Sequence, residues 1–270
     1  MRTLRPVYAV VEREVLKLVR QRSRLLSAMV RPMIWLFVIG AGFDAMLGQT
    51  GEMSYQYFLV PGVLGMSMLF GAMLAALATV YDKESGVMRM LVIAPFQHYW
   101  IVLAKMIGAS IAAIIQALLL LVLLAVLGFL KNGVSVPLLI MALVATSFAC
   151  AGVGMLIAAW TPTLENYAVI MNLVIFPMFF LSGALYPVQH LPDVLRWVAG
   201  INPYTYGVDL LKHATLINAP AEFATDFSVA TDVAVLVGFT IAATLVACWR
   251  FSRDTAYEPL VHKLSRARAD

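Results

Sequence analysis

Charge is scarce in this chain. Asp, Glu, Lys and Arg make up 13% of its 270 residues, while 62% are hydrophobic. A soluble domain carries about 25% charged residues, so an ordinary soluble fold is excluded. Cysteine is scarcer still. Cys150 and Cys248 both sit inside apolar stretches, with no second Cys or His at ligand spacing. A disulfide framework and a zinc site are therefore unsupported, and both read as small buried or lipid-facing residues. No GxxxxGK[ST] loop occurs, which excludes nucleotide binding by that route. None of the four histidines (His98, His190, His213, His262) falls in the middle of an apolar run. Ser182 before Gly183 thus lacks the base that intramembrane hydrolysis needs. No carboxylate marks the centre of a run either, as a proton- or ion-coupled carrier would require. Asp44 and Glu165 fall near the ends of runs, and Asp82 and Glu84 fall in a loop. The expectation is a chain that is no enzyme, with no catalytic residue, no metal ligand and no cofactor of its own.

What the chain has is long apolar runs. Six reach the roughly 20 residues of a transmembrane helix: residues 25–47, 57–80, 101–130, 136–160, 167–185 and 229–249. They are too long and continuous for barrel strands, and backbone in hydrocarbon must bond internally. The expected fold is therefore an all-α membrane protein with six transmembrane helices. Its divisions are an amphipathic segment at 1–24, the six-helix domain at 25–250 and a tail at 251–270.

Sixteen of the nineteen Lys and Arg fall on one side of these runs; only Lys131, Arg196 and Lys212 fall on the other. The positive-inside rule then places both termini in the cytoplasm, and the expected location is a cell (inner) membrane. The basic residues flank apolar spans, so lipid headgroups are their expected partner and nucleic acid is not. Leu4, Val7, Tyr8, Val11, Val15, Leu18 and Val19 recur at helical spacing, which predicts an amphipathic helix lying in the interface. An ordinary flanking helix with basic anchors is the plainer alternative. The first run follows a long basic segment without a small-residue cleavage site, and is expected to stay in the mature protein. Residues 186–228 on the outer side hold Pro187, Pro192, Pro203 and Pro220. They are too apolar for a solvated loop, which predicts short outer helices between spans five and six.

Polar residues within the runs include Ser67, Ser110, Gln116, Thr146, Ser147 and Asn172. Interhelical hydrogen bonds are the first reading of these. The alternative is a substrate path, for which Asn172, Gln116 and Phe176 are the candidates. Gly62, Gly65, Gly71, Gly152 and Gly154 read as close helix packing. Between spans two and three, Tyr81 to Pro95 begin with mixed charge, continue as a short amphipathic helix and stop at proline. An apolar face of Val87, Met88, Leu91 and Val92 beside Arg89 suits docking into a groove on another protein. Packing on its own bundle is the alternative.

Two stretches resemble the type-2 permeases of ATP-binding-cassette exporters. One runs from Glu84-Ser85-Gly86 through Leu91 to Pro95. It resembles that family's coupling helix, although Ser85 stands where members often have Arg, and Lys83 is a point charge and no fork. The other is Phe180-Leu181-Ser182-Gly183-Ala184-Leu185-Tyr186-Pro187, then Leu191-Pro192, Asn202-Pro203-Tyr204 and Asp209-Leu210-Leu211-Lys212. It is similar to the family signature around span five and the outer helices.

The resemblance implies an export permease for a drug, a lipid-linked or a saccharide substrate. It also implies a second permease chain, expected to be an identical copy so that the pair is a homodimer, and a separate cytoplasmic ATPase that carries ATP and Mg. By the same resemblance Asp82, Lys83, Glu84, Gly86, Arg89, Leu91 and Pro95 are ATPase-coupling residues. Ser182, Gly183, Pro187, Pro192, Asn202, Pro203 and Tyr204 are structural signature residues. An ATPase-independent carrier or channel, and a non-transporting membrane assembly subunit, remain the alternatives.

Overall fold

The computed structural model describes residues 22–47, 54–87, 98–130, 133–217 and 225–266, together with residues 8, 11–14, 16 and 20. Among the described residues every regular element is helical. The first span consists of α1 (Arg22–Ile34), a π-helical turn (Trp35–Ile39) and α2 (Gly40–Leu47). It is apolar over Ala28–Met46. Four further helices are long and apolar enough to cross a membrane: α3 (Tyr55–Glu84), α4 (His98–Val126), α5 (Val136–Trp160) and α9 (Val229–Arg266). The shorter apolar α6 (Leu164–Phe180) follows α5.

α6 ends at Phe180, five residues before the end of the expected fifth run. The chain turns there because Gly183 adopts φ +76°, a left-handed conformation that halts the helix. The expected third run also overshoots. α4 stops at Val126, and Gly128 at φ +86° turns the chain. The last helix behaves oppositely. It runs unbroken to Arg266, past the expected start of the tail at 251.

Caps explain several starts. Ser54 Oγ accepts from Gln56 N at 3.3 Å, and Thr163 Oγ1 accepts from Asn166 N at 3.4 Å. Asn202 Oδ1 accepts from Tyr204 N at 3.1 Å, with Pro203 at the first helical position. Each satisfies an orphan amide of a first turn, and proline loses nothing there.

α3 is the axis of the bundle. In its apolar window 78% of residues are buried, against 17% in the first span and 17% in α9. Neighbouring segments come close to α3 through glycine. A Cβ on Gly62 would stand 2.5 Å from the Ala184 carbonyl oxygen, and one on Gly65 would stand 2.7 Å from the Tyr204 hydroxyl. A Cβ on Gly154 of α5 would stand 2.8 Å from Ala76 Cβ. Small residues permit such contact where helices gain little from the hydrophobic effect itself. Tyr167 of α6 ties to α3 by donating to the Met73 carbonyl at 2.9 Å.

Residues 186–217 form short helices, as the proline-rich stretch predicts. α7 (Asp193–Ile201) leaves Val194, Trp197 and Ile201 exposed and buries Ala199. α8 (Pro203–Thr215) turns inward and is buried along most of its length against α5, α9 and α3.

Candidate coupling site at the basic end of the bundle

Three consecutive residues close the last turn of α3: Asp82, Lys83 and Glu84. Successive residues of an α-helix point about 100° apart, so they face three directions. Asp82 faces inward and is 1% exposed. It pairs with Lys105 near the start of α4 and with Arg13 of the N-terminal segment at 2.5 Å. Lys105 also pairs with Glu14 at 2.8 Å, and Arg13 with Glu14 at 3.0 Å. Burial would lower the Arg13 pKa, but Glu14 and Asp82 outweigh it and raise the value. Among the described residues, two acids and two bases thus meet in a largely buried cluster, where low dielectric favours paired charges.

Lys83 turns toward α5. It donates to the carbonyls of Ala158 at 2.9 Å and Ala159 at 3.1 Å, in the last turn of that helix. A cation there complements the helix dipole. The same ammonium lies 4.3 Å from the ring centroid of Phe251 in α9, in cation–π range. Glu84 takes the third direction. Its Oε2 accepts from the Leu164 N–H at 3.0 Å, the first residue of α6. One turn of α3 therefore holds α4, α5, α6, α9 and the N-terminal segment.

Beyond it, Ser85 caps the helix and Gly86 adopts φ +76°. Arg89, Leu91 and Pro95 lie outside the described residues. Asp82 corrects the sequence reading, which placed it in a loop. The helix continues through it because the acid finds Lys105 and Arg13, and so bears burial.

The signature residues gather at the opposite end. Ser182 Oγ donates to the Phe179 carbonyl at 2.7 Å. A Cβ on Gly183 would stand 2.9 Å from Val188 and 3.1 Å from Lys212 Nζ. Pro187 is buried and precedes a 3-10 turn (Val188–His190), and Pro192 precedes α7. Asn202 Nδ2 donates to Met178 O at 2.8 Å, joining α6 to the start of α8. Tyr204 is buried, and its hydroxyl has no hydrogen-bond partner.

Of the candidate path residues, Asn172 and Phe176 lie one turn apart on the exposed side of α6. Asn172 Nδ2 donates back to Ala168 O at 3.0 Å, and Phe176 is stacked on Phe180. Gln116 is buried against Gly71. The three do not come together in one chain. Arg31 of α1 stands over the Phe70 ring at 4.0 Å, halfway along α3.

A second charged group lies at the end away from Asp82 and went unread in the sequence. Lys212 is 1% exposed and pairs with Asp226 at 2.8 Å. Asp209 accepts from the Asp226 and Phe227 N–H groups, each at 2.8 Å. Burial raises the Asp209 pKa above its ordinary value, although those two amides and Lys212 pull it down. His213 and Asp232 complete the group. Spacing alone carries little signal for it, since Asp226 and Asp232 are far along the chain from α8.

A multi-pass helical membrane bundle, ion-paired at its foot and without a described strand, is the class this architecture defines. A model of the ABC-2 type transporter family matches residues 5–216, and the chain belongs to that family. It is 29% identical over 192 residues to Nodulation protein J of Rhizobium leguminosarum bv. trifolii, covering 70% of this chain and 73% of that protein. It is 24% identical over 259 residues to the putative transport permease ycf38 of Cyanophora paradoxa, covering 90% and 88%. The chain is thus a membrane subunit of an ABC transporter, and the family in general implies an ABC ATPase as partner.

Proposed function

We propose that this chain is the membrane half of an ATP-driven exporter in a cell (inner) membrane, moving a drug, lipid-linked or saccharide substrate out of the cytoplasm. The basic end faces the cytoplasm with both termini, as the distribution of Lys and Arg favours. A cytoplasmic ATPase, carrying ATP and Mg, docks there on the segment that leaves α3 through Gly86 and contains Arg89, Leu91 and Pro95. The observation that carries this reading is the Asp82-Lys83-Glu84 turn. A push on the segment beyond it reaches α4, α5, α6 and α9 through one rigid turn. Two copies of the chain enclose the path. The exposed stripe of α6, with Asn172 and Phe176 among Val169 and Leu173, favours a partner on that face. A carboxamide turned to lipid is costly, and one turned to a path is not.

The test is reconstitution in liposomes of this chain with its ATPase. Flux that requires ATP and both chains is expected. Flux driven by an ion gradient without the ATPase would replace this reading with the secondary carrier. No flux under any energy source would favour the assembly subunit.

A further inference from the structure

Asp209 and His213 stand four residues apart on α8, hence on one face of the helix. Asp232, in the first turn of α9, meets them from the other side. His213 Nε2 lies 3.8 Å from Asp209 Oδ2 and 3.8 Å from Asp232 Oδ2. One ligand atom from each residue lies within 4.8 Å of the others. In a tetrahedral site with bonds of about 2.0–2.1 Å, ligand atoms stand about 3.4 Å apart. Two edges of the triangle therefore need only a few tenths of an ångström of closure.

An independent observation points to a ligand. Asp232 is 0% exposed, and neither of its carboxylate oxygens has a hydrogen-bond partner. An ionised carboxylate buried in that condition is costly unless a cation answers it. Among the described residues the nearby permanent charges do not supply one, and His213 does so only when protonated. Three carboxylates (Asp209, Asp226, Asp232) face one ammonium, and Lys212 is committed to Asp226 at 2.8 Å and lies 3.9 Å from Asp209.

We propose that Asp209, His213 and Asp232 form a binding site for a divalent transition-metal ion of the zinc class, pinning α8 to α9. An imidazole with two carboxylates suits that class, whereas Ca²⁺ and Mg²⁺ favour all-oxygen shells. His213 Nε2 is hydrogen-bonded to the Phe227 carbonyl at 2.9 Å. Ligation through Nε2 moves the ring proton to Nδ1 and gives up that bond. Water fills the fourth position. A crevice of about 520 Å³, lined by Arg196, Trp197, Asp226 and Phe227 among others, adjoins the segment whose amides bond Asp209. The ion ties the charged side of the inward-turned α8 to the first turn of α9.

The test uses the full chain, purified in detergent and stripped with a chelator, so it does not depend on transport. Titration with Zn²⁺ is expected to show one equivalent bound per chain and a melting temperature that climbs with zinc concentration. His213→Ala and Asp232→Asn are each expected to weaken binding at least ~100-fold, since losing even a second-shell group costs about 10–100-fold. In chelator, Asp232→Asn is expected to melt no lower than wild type, because it removes an unanswered charge. That result separates loss of a ligand from loss of the fold. A variant with His98, His190 and His262 all changed to Ala is expected to bind as wild type. The proposal is overturned if wild type takes up no zinc, if Asp232→Asn binds like wild type, or if the triple variant loses the ion.

Discussion

The Asp82 carboxylate and the Lys105 ammonium meet inside the basic end of the bundle, each with 2% of its side chain exposed. The pair joins the last turn of α3 to α4, and through Glu14 and Arg13 it joins both to the N-terminal segment. Breaking such a pair from one side leaves a charge in low dielectric. Lys105→Met is therefore expected to destabilise by up to about 3–5 kcal/mol, softened by the remaining Arg13 contact. Adding Asp82→Leu should recover much of the loss. Melting of the single and double variants in detergent checks the coupling.

Glu84 and Gly86 are expected to matter for coupling more than for folding. The contact of Glu84 with the start of α6 is worth about 0.3–1 kcal/mol, too little to prevent insertion. Proline at Gly86 would force φ to about −65° where the chain uses +76°. Glu84→Ala and Gly86→Pro should lower transport-coupled ATP hydrolysis while the chain still reaches the membrane fraction. Wild-type coupling in both would remove this turn from the transmission path.

Glycine substitutions should divide by what a new Cβ meets. Gly62→Ala sets a methyl 2.5 Å from the Ala184 carbonyl oxygen, whereas Gly238→Ala in α9 meets nothing within 4 Å. Overpacking costs about 1–3 kcal/mol, and alanine gains up to about 1 kcal/mol over glycine in a free helix. The two variants should therefore move the melting temperature in opposite directions.

Two buried tyrosines offer a similar contrast. Tyr167 donates to Met73 O at 2.9 Å, and the Tyr204 hydroxyl has no partner. Tyr167→Phe should cost about 0.5–1.5 kcal/mol. Tyr204→Phe should be neutral or stabilising, because it deletes an unsatisfied polar atom. Denaturation of both variants side by side decides this.

The helices were legible because an apolar run of about 20 residues has few other fates. Short helices among the outer prolines were legible, and Gly62, Gly65 and Gly154 as close contacts, because their chemistry is local. The ends of α4 and α6 were not, since Gly128 and Gly183 look like any small residue within an apolar run. Asp82 read as a loop residue for a related reason. What makes it helical is Lys105, which belongs to the next span. Lys212 read as one of three outer charges, yet it is buried against Asp226. A metal ligand set was not expected at all, because Asp232 meets His213 only once α8 has turned inward. Burial of charge is decided by packing, and the linear order of residues carries little of it.

The π turn at Trp35–Ile39 has a consequence for the start of α3. Its closing bond, from Gly40 N–H to Trp35 O, encloses one residue more than an α turn does. Everything beyond it is rotated by about 100° relative to an uninterrupted helix. That phase offset aims Asp44 at the start of α3, where it accepts from Tyr55 N and Ser54 Oγ, each at 2.6 Å. Deleting one residue from the turn would restore the regular winding and swing Asp44 off both donors. The irregularity in the first span is thus what indexes it to the central helix.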